Sequence, residues 1–387
     1  ADQLSERLNA LQTAVTATNT TVQATDNWSD TVKALNTFVN TTVPAITLQA
    51  DKEDAVNQLK KTLADTQADI AADTSLTTDQ IKSQTQDATD AYNAAEKAVD
   101  GVSTDADVAT QLKTGTGNIT GTHKPQTPIQ GEGGRVDQFK GNITNESEKV
   151  RDQVATNLNN KAITADQAQT LNAAIDQAVA TAQTAAGNAK NADDINTAQA
   201  NLETALTAVQ TNLAKNVSDN KIDAAQTAAL NTIDQDGTLS GQEKASQTAA
   251  VNDAASKGKD AVDGTKTADE ATTAGKDAVD KIDGIHQHGQ PVSDRLPDFE
   301  DKIRTAAQGL IDQAKANTNL SQTGLATITA AVNGMRDRLI TELKTVTTVV
   351  DAETMVSDDQ NAFALGQGTG SDVSQAKSQW VNRLYST

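Results

Sequence analysis

The strongest constraint on this chain is a helix-start signal that returns about every 80 residues. Each signal begins at a short polar side chain, which can accept a hydrogen bond from the free N–H groups in the first turn of a helix. A second signal precedes three of them at one constant offset, and two caps at a constant distance delimit one helix and its turn. The sequence therefore predicts a repeated helical module. The main signals are at Thr25, Thr104, Asn191, Thr267 and Thr348, and the preceding pairs begin at Leu76, Ile163 and Leu239.

Apolar residues recur at steps of three and four in the segments between these signals, as expected for helices that bury one face. Aromatic residues make up only 2% of the chain, so the predicted cores consist of Ala, Val, Leu and Ile. Three short amphipathic helices bury their faces most simply as an up-down-up bundle. We therefore predict an all-α fold of tandem three-helix bundles arranged end to end as an elongated rod.

The repeat divides the chain into six segments. The first is the C-terminal part of a preceding repeat, four complete repeats follow, and the last is the start of a further helix. We call the four complete repeats modules one to four. The segments are 1–43, then 44–125, 126–212, 213–290 and 291–366 for the modules, and finally 367–387.

Two segments rich in Gly and Pro interrupt the helical pattern: joint one, from Gly115 through Gly134, and joint two, from Gly284 through Pro297. The two share the pattern Ile-x-Gly-x-His, whose last residue is His123 in joint one and His286 in joint two. Proline removes a helix donor and clashes with the previous turn, so we expect all five prolines to lie outside the helices. Between modules two and three no such break occurs, and we expect one helix to run through. The prolines are Pro44, Pro125, Pro128, Pro291 and Pro297.

Charge and composition exclude several functions. The formal net charge is −20, from 52 acidic and 32 basic residues, whereas binding to nucleic acid or anionic lipid requires clustered Lys and Arg. The absence of Cys excludes disulfides and zinc–thiolate sites. No apolar run is long enough to span a membrane, and neither end of the chain carries a targeting motif, so we expect a piece of a longer protein.

The capping motifs resemble a known family of three-helix repeats. Leu76-Thr-Thr-Asp-Gln80-Ile81 followed by Ser103-Thr-Asp-Ala-Asp107-Val108, and Leu239-Ser-Gly-Gln-Glu243-Lys244 followed by Thr267-Ala-Asp-Glu270, are similar to repeats in giant wall-anchored surface proteins of Gram-positive bacteria. That family includes the staphylococcal extracellular-matrix-binding type and is also found in lactobacilli. The resemblance implies an extracellular protein, attached to the cell wall through regions outside this chain. It transfers no catalytic residue.

The segment from Asp234 to Glu243 is the strongest candidate for a metal site. With Gly237 at the sixth position of an EF-hand loop, Asp234, Asp236 and Glu243 occupy three calcium-ligand positions. The first position is then Thr232, where the loop requires a carboxylate. We therefore interpret the segment as an ordinary cap turn and predict no metal and no cofactor.

Histidines and aromatic residues offer the remaining candidates. His286 and His288 form His-x-His, which can hold a metal, but the sequence suggests no third ligand, so we interpret them, with His123, as solvated joint residues. We expect Trp28 to pack against the end of a bundle, because a buried aromatic ring stabilises more than an exposed one. The other rare aromatics are Trp380, Tyr92 and Tyr385.

These observations favour a non-catalytic, monomeric stalk or spacer segment of a bacterial cell-surface adhesin. The alternative is a helical module that binds a host matrix or serum protein through its bundle faces. An enzyme is disfavoured because the chain has no nucleophile elbow and no phosphate-binding glycine loop. A disordered chain, suggested by the Ala/Thr/Asp/Lys runs at 254–280, conflicts with the fixed spacing of the caps.

Overall fold

The structure, a computed structural model, describes residues 2–365, and the side chains of residues 4–361. This part of the chain is helical and contains no β-strand, which confirms the all-α prediction. The segment 367–387, with Trp380 and Tyr385, lies outside it. The helices are α1 (Asp2–Gln23), α2 (Trp28–Thr37), a π-helical turn (Phe38–Thr42), α3 (Val43–Ala72), α4 (Thr78–Asp100), α5 (Asp105–Thr120), α6 (Arg135–Asn159), α7 (Ala165–Asn188), α8 (Ala192–Gln235), α9 (Gly241–Asp263), α10 (Ala268–Asp283), α11 (Val292–Ala316), α12 (Gln322–Leu343) and α13 (Val349–Leu365).

Most helices begin at the capping residues predicted from the sequence. Thr77, Ser240 and Thr267 form complete capping boxes, in which the cap and the third helical residue satisfy each other's backbone N–H groups. The side chains of Thr104, Thr164, Asn191, Ser321 and Thr348 also accept from the first turn of the following helix. The Thr25 prediction is wrong, since Asn27 caps α2 and Thr25 accepts from the Asn27 N–H instead.

Three sets of three helices each surround an apolar core. In the first set, α3, α4 and α5, the side chains of Leu59, Val99 and Ile119 are fully buried. The second set consists of the C-terminal half of α8, α9 and α10, and the side chains of Ile222, Val262 and Ile282 are fully buried in it. These three residues have the same spacing in the sequence as the three of the first set. The third set is α11, α12 and α13. Burying each such side chain contributes about 1.5–3 kcal/mol.

Helix α8 runs without a break for 44 residues, as predicted for the passage between modules two and three. The chain divides into two compact units, the first containing residues 1–149 and 175–206 and the second containing residues 150–174 and 207–387. Helices α6, α7 and α8 thus contribute residues to both units. No described helix is both long and apolar enough to cross a lipid bilayer.

Three predictions about single residues are wrong. Pro297 lies inside α11, and Pro44 lies in a helical run that continues from α2 through the π-helical turn into α3. The Val43 N–H bonds to the Phe38 carbonyl five residues back, so the regular hydrogen-bond ladder is already interrupted directly before Pro44, which lacks an N–H. Trp28 is 79% exposed instead of packed against a bundle end. It is the first residue of α2, and its ring contacts solvent there. Tyr92, by contrast, packs partly buried against the first core and donates its hydroxyl to Glu96.

Close helix approach depends on one glycine in each of two equivalent contacts, and the glycine changes sides. In module one, a Cβ added to Gly115 of α5 would lie 2.6 Å from the Cβ of Ala95 on α4. In module three the equivalent pair is Ala278 of α10 and Gly258 of α9, and a Cβ added to Gly258 would lie 2.5 Å from that of Ala278. Each contact accommodates one methyl group and no more.

We therefore predict that Gly258→Ala destabilises the contact between α9 and α10, because overpacking costs about 1–3 kcal/mol and exceeds the gain in helix propensity. Adding Ala278→Gly recreates the arrangement of module one and restores stability. Amide hydrogen exchange in α9 and α10 measures both effects. If the double variant lost as much stability as the sum of the losses in Gly258→Ala and Ala278→Gly alone, the result would contradict the predicted compensation.

Candidate functional site

The turn between α3 and α4 binds the chain that leaves α5. Asp73 follows the last residue of α3, and its Oδ1 accepts from the Ser75 N–H at 2.9 Å, a turn that Asp favours. Its Oδ2 lies 2.9 Å from Nε2 of His123, which follows the C-terminal end of α5. The Asp73 and His123 side chains are 13% and 23% exposed. Helix α5 extends to Thr120, so joint one begins after this helix and not at Gly115. A carboxylate in the first turn of the module thus holds the first residues that follow α5.

The same arrangement recurs at the turn after α8. Asp236 follows that helix, and its Oδ1 accepts from the N–H and the hydroxyl of Thr238 at 2.9 and 2.6 Å. Its Oδ2 lies 3.0 Å from Nε2 of His286, in joint two. The Asp236 side chain is only 5% exposed, so its charge requires these partners.

Backbone groups of both joints are held as well. The Gln84 side chain accepts from the Lys124 N–H and donates to its carbonyl, and Gln247 does the same with Gln287. Slightly further along each joint, the Ser75 hydroxyl accepts from the Gln126 N–H, and the Thr238 hydroxyl accepts from the Gly289 N–H. We call each set of contacts a latch.

The latch of joint two differs from that of joint one by a second histidine. His288 places Nδ1 2.8 Å from Oδ2 of Asp236, whereas the equivalent position in joint one is Pro125. The rings of His286 and His288 meet edge to face, with their centroids 4.8 Å apart. One atom from each of Asp236, His286 and His288 lies within 4.8 Å of the others, so these residues could hold a metal ion.

Both latch carboxylates are stabilised as anions. Burial raises the pKa of Asp73, but hydrogen bonds from Ser75 and His123 outweigh it, and the pKa lies below its usual range. Burial likewise raises the pKa of Asp236, and the bonds from Thr238, His286 and His288 lower it well below that range. An ionised carboxylate can only accept, so His286 Nε2 and His288 Nδ1 must each carry the donated hydrogen.

The same turns also bind the following module. The Ala192 N–H donates to the Thr74 carbonyl at 3.1 Å, and Asp193 accepts from the N–H of Thr78 at 2.8 Å. A carboxylate at this place is favourable, because Thr78 opens helix α4 and its N–H has no partner within the helix. At the next such turn, Val349 donates to the Gly237 carbonyl and Glu353 accepts from Gly241.

The calcium-site candidate is a cap turn, as we interpreted it. Glu243 accepts from the Ser240 N–H to complete a capping box, and both its oxygens accept from the Arg295 guanidinium at 2.9 Å. Asp234 is exposed, and its carbonyl accepts from Lys244. Neither belongs to the group of possible metal ligands found among the described residues, which takes only Asp236 from this segment.

The interpretation of the histidines as solvated joint residues is wrong for His123 and His286 and holds for His288. His123 and His286 are largely buried, and each contacts a carboxylate of an earlier turn in the chain. His288 is 79% exposed yet also contacts Asp236. Asp236, which the sequence offered only as a calcium candidate, is the third potential metal ligand beside the two histidines of joint two. The signal in the sequence was a shared spacing, since the separation from Asp73 to His123 equals that from Asp236 to His286.

We predict that the latch of joint one loses its stabilising effect in acid. Because the folded-state pKa of Asp73 is lowered, its contribution is complete above the unfolded-state pKa of about 3.8 and disappears as the pH falls through the lower folded-state value. Asp73→Asn should therefore lower the melting temperature at pH 7, and its difference from the wild type should shrink as the pH falls below about 3.8. Calorimetry checks this, with Asp87→Asn at an exposed position of α4 as control. A difference that persists undiminished in acid would contradict the prediction.

Comparison of the chain with family models, with curated proteins and with solved structures found no match in any of the three. The functional conclusions that follow depend on the contacts of this chain.

Proposed function

We propose that this chain is a non-catalytic spacer segment of an extracellular bacterial cell-surface protein, attached to the wall through regions outside it. Three-helix modules joined end to end would hold a distal region away from the cell. The observation that carries this proposal is the latch, which occurs at the ends of modules one and three with the same Asp–His pair at the same spacing. A spacer requires joints of defined geometry, and the latches restrict the joints.

The contacts at the turns support an end-to-end order. The turn after α3 binds joint one through Asp73 and also binds the start of α8 through Thr74 and Thr78. One end of module one thus contacts both the chain leaving it and the third helix of module two. The turn after α8 has the same two sets of contacts, with joint two and with α13.

The passage from module two to module three uses a different device. Helix α8 serves as the third helix of one module and the first helix of the next, so no flexible link intervenes. Asn220 on α8 donates to the Ala162 carbonyl in the turn between α6 and α7, and to Gln167 beside it. A continuous helix resists bending more than a Gly-rich link of the same length.

We predict that small-angle scattering shows an extended particle. Four bundles of about 37 Å each would give a rod on the order of 150 Å and a radius of gyration of about 40 Å. A compact globule of this chain length would have a radius of gyration of about 21 Å, and measuring that value would contradict the proposal. Replacing both latch carboxylates, in the Asp73→Ala, Asp236→Ala double variant, should broaden the distribution of particle lengths because both joints are then less restricted. Asp87→Ala, at an exposed position of α4, is the control and should leave that distribution unchanged.

A host-binding module is the second candidate, favoured by the distribution of exposed apolar side chains. Eight of the nine large exposed apolar side chains among the described residues lie between residues 4 and 39, including Trp28. Exposed apolar surface at such density is typical of interaction surfaces, and Trp is enriched among residues that dominate binding.

If this second function holds, immobilised fibronectin, albumin or immunoglobulin should bind the chain, and Trp28→Ala should weaken that binding at least about tenfold. Leu158→Ala, at the ninth exposed apolar position, provides the control. Surface plasmon resonance measures both. Binding that Trp28→Ala leaves unchanged would exclude this surface.

A further inference from the structure

We propose that Asp236, His286 and His288 form a binding site for a divalent transition-metal ion, with zinc as the best match, and that the ion fastens joint two to the turn after α8. This goes beyond the spacer function, which requires only the latch. The site would comprise one carboxylate oxygen and two imidazole nitrogens, with a fourth position open to water.

The three ligand atoms already converge. Nε2 of His286 and Nδ1 of His288 lie 3.0 and 2.8 Å from the same oxygen, Oδ2 of Asp236. Zinc bonds to nitrogen and oxygen are about 2.0–2.2 Å, so neighbouring ligands of a tetrahedral site stand about 3.3 Å apart. The two oxygen–nitrogen distances would have to lengthen by only a few tenths of an ångström. The two imidazole nitrogens lie within 4.8 Å of each other and would also have to stand about 3.3 Å apart, which the exposed His288 ring can achieve by turning.

Surrounding contacts hold the ligands in place before an ion arrives. Thr238 occupies Oδ1 of Asp236 with two hydrogen bonds and leaves Oδ2 directed at the histidines. Gln247 binds both backbone groups of Gln287, the residue between the two histidines. Such supporting contacts orient metal ligands and raise affinity.

Gly289 fixes the position of the chain directly after His288. A Cβ at this residue would lie 2.2 Å from the Thr238 carbonyl oxygen, so only glycine permits this approach. The Gly289 N–H donates to the Thr238 hydroxyl at 2.9 Å. The backbone is therefore held on both sides of His288, although the His288 ring is exposed.

The ligand set determines which ions fit. Imidazole nitrogen suits zinc, copper and nickel, whereas calcium and magnesium prefer sites made only of oxygen. Copper binds such donor sets more tightly than zinc does, so the site selects for transition metals as a class. Calcium and magnesium should not compete.

Joint one supplies a matched control within the same chain. It repeats the carboxylate and the first histidine, as Asp73 and His123, but has Pro125 where joint two has His288. Two ligands make a weak site, so joint one should not bind zinc. His288→Pro converts joint two into the form of joint one, and Pro125→His does the reverse.

Isothermal titration calorimetry of the untagged 387-residue chain with zinc chloride tests the proposal. We expect about one zinc ion per chain, loss of that binding in His288→Pro, and a second ion in Pro125→His. The His288→Pro chain should keep its latch and its helix content by circular dichroism, because His286 still contacts Asp236. Zinc should raise the melting temperature of the wild type but not that of His288→Pro.

Three results would overturn the proposal. One is the absence of saturable zinc binding in the wild type. Another is equal stoichiometry in the wild type and His288→Pro, which would mean that zinc binds to the acidic surface in general. The last is displacement of zinc by millimolar calcium or magnesium, which would indicate a site made of oxygen ligands alone.

Discussion

A carboxylate in the turn between the first and second helices of a module organises the end of that module. Removing a charge from water is costly unless it is paired and hydrogen-bonded. Asp236 is almost fully buried and directs one oxygen to Thr238 and the other to His286. The chain after α10 must therefore return to the turn after α8, which determines where the joint begins.

The two latches show how the repeats preserve a contact while its residues change. The carboxylate and the first histidine are the same in both, whereas the neighbouring hydroxyl comes from Ser75 in one and Thr238 in the other. Where the second and third helices of a module touch, the glycine is on the third helix in module one and on the second helix in module three. The opposite residue is alanine in both, so each contact contains one methyl group. The repeat thus keeps the Asp–His pair of the latch and tolerates exchange at the neighbouring hydroxyl and in the helix contact. Only joint two adds a second histidine, His288.

Local features of the fold were predictable, because a cap acts within a single helical turn. Thr77, Ser240 and Thr267 start helices where the sequence predicted, and α8 passes through its module boundary without a break. The latch was not predicted, because its partners are far apart in the sequence and meet only after three helices have packed. Trp28 was misplaced for a related reason, since exposure depends on tertiary contacts that no local pattern specifies.

The most direct test of the latch is amide hydrogen exchange at Gln126 and Gly289, the joint residues whose N–H groups donate to Ser75 and Thr238. A latched joint predicts slow exchange at both amides, and faster exchange at Gln126 alone in the Asp73→Asn chain. Exchange of both amides at the rate of an unstructured peptide would show that the joints are free, and would contradict the account.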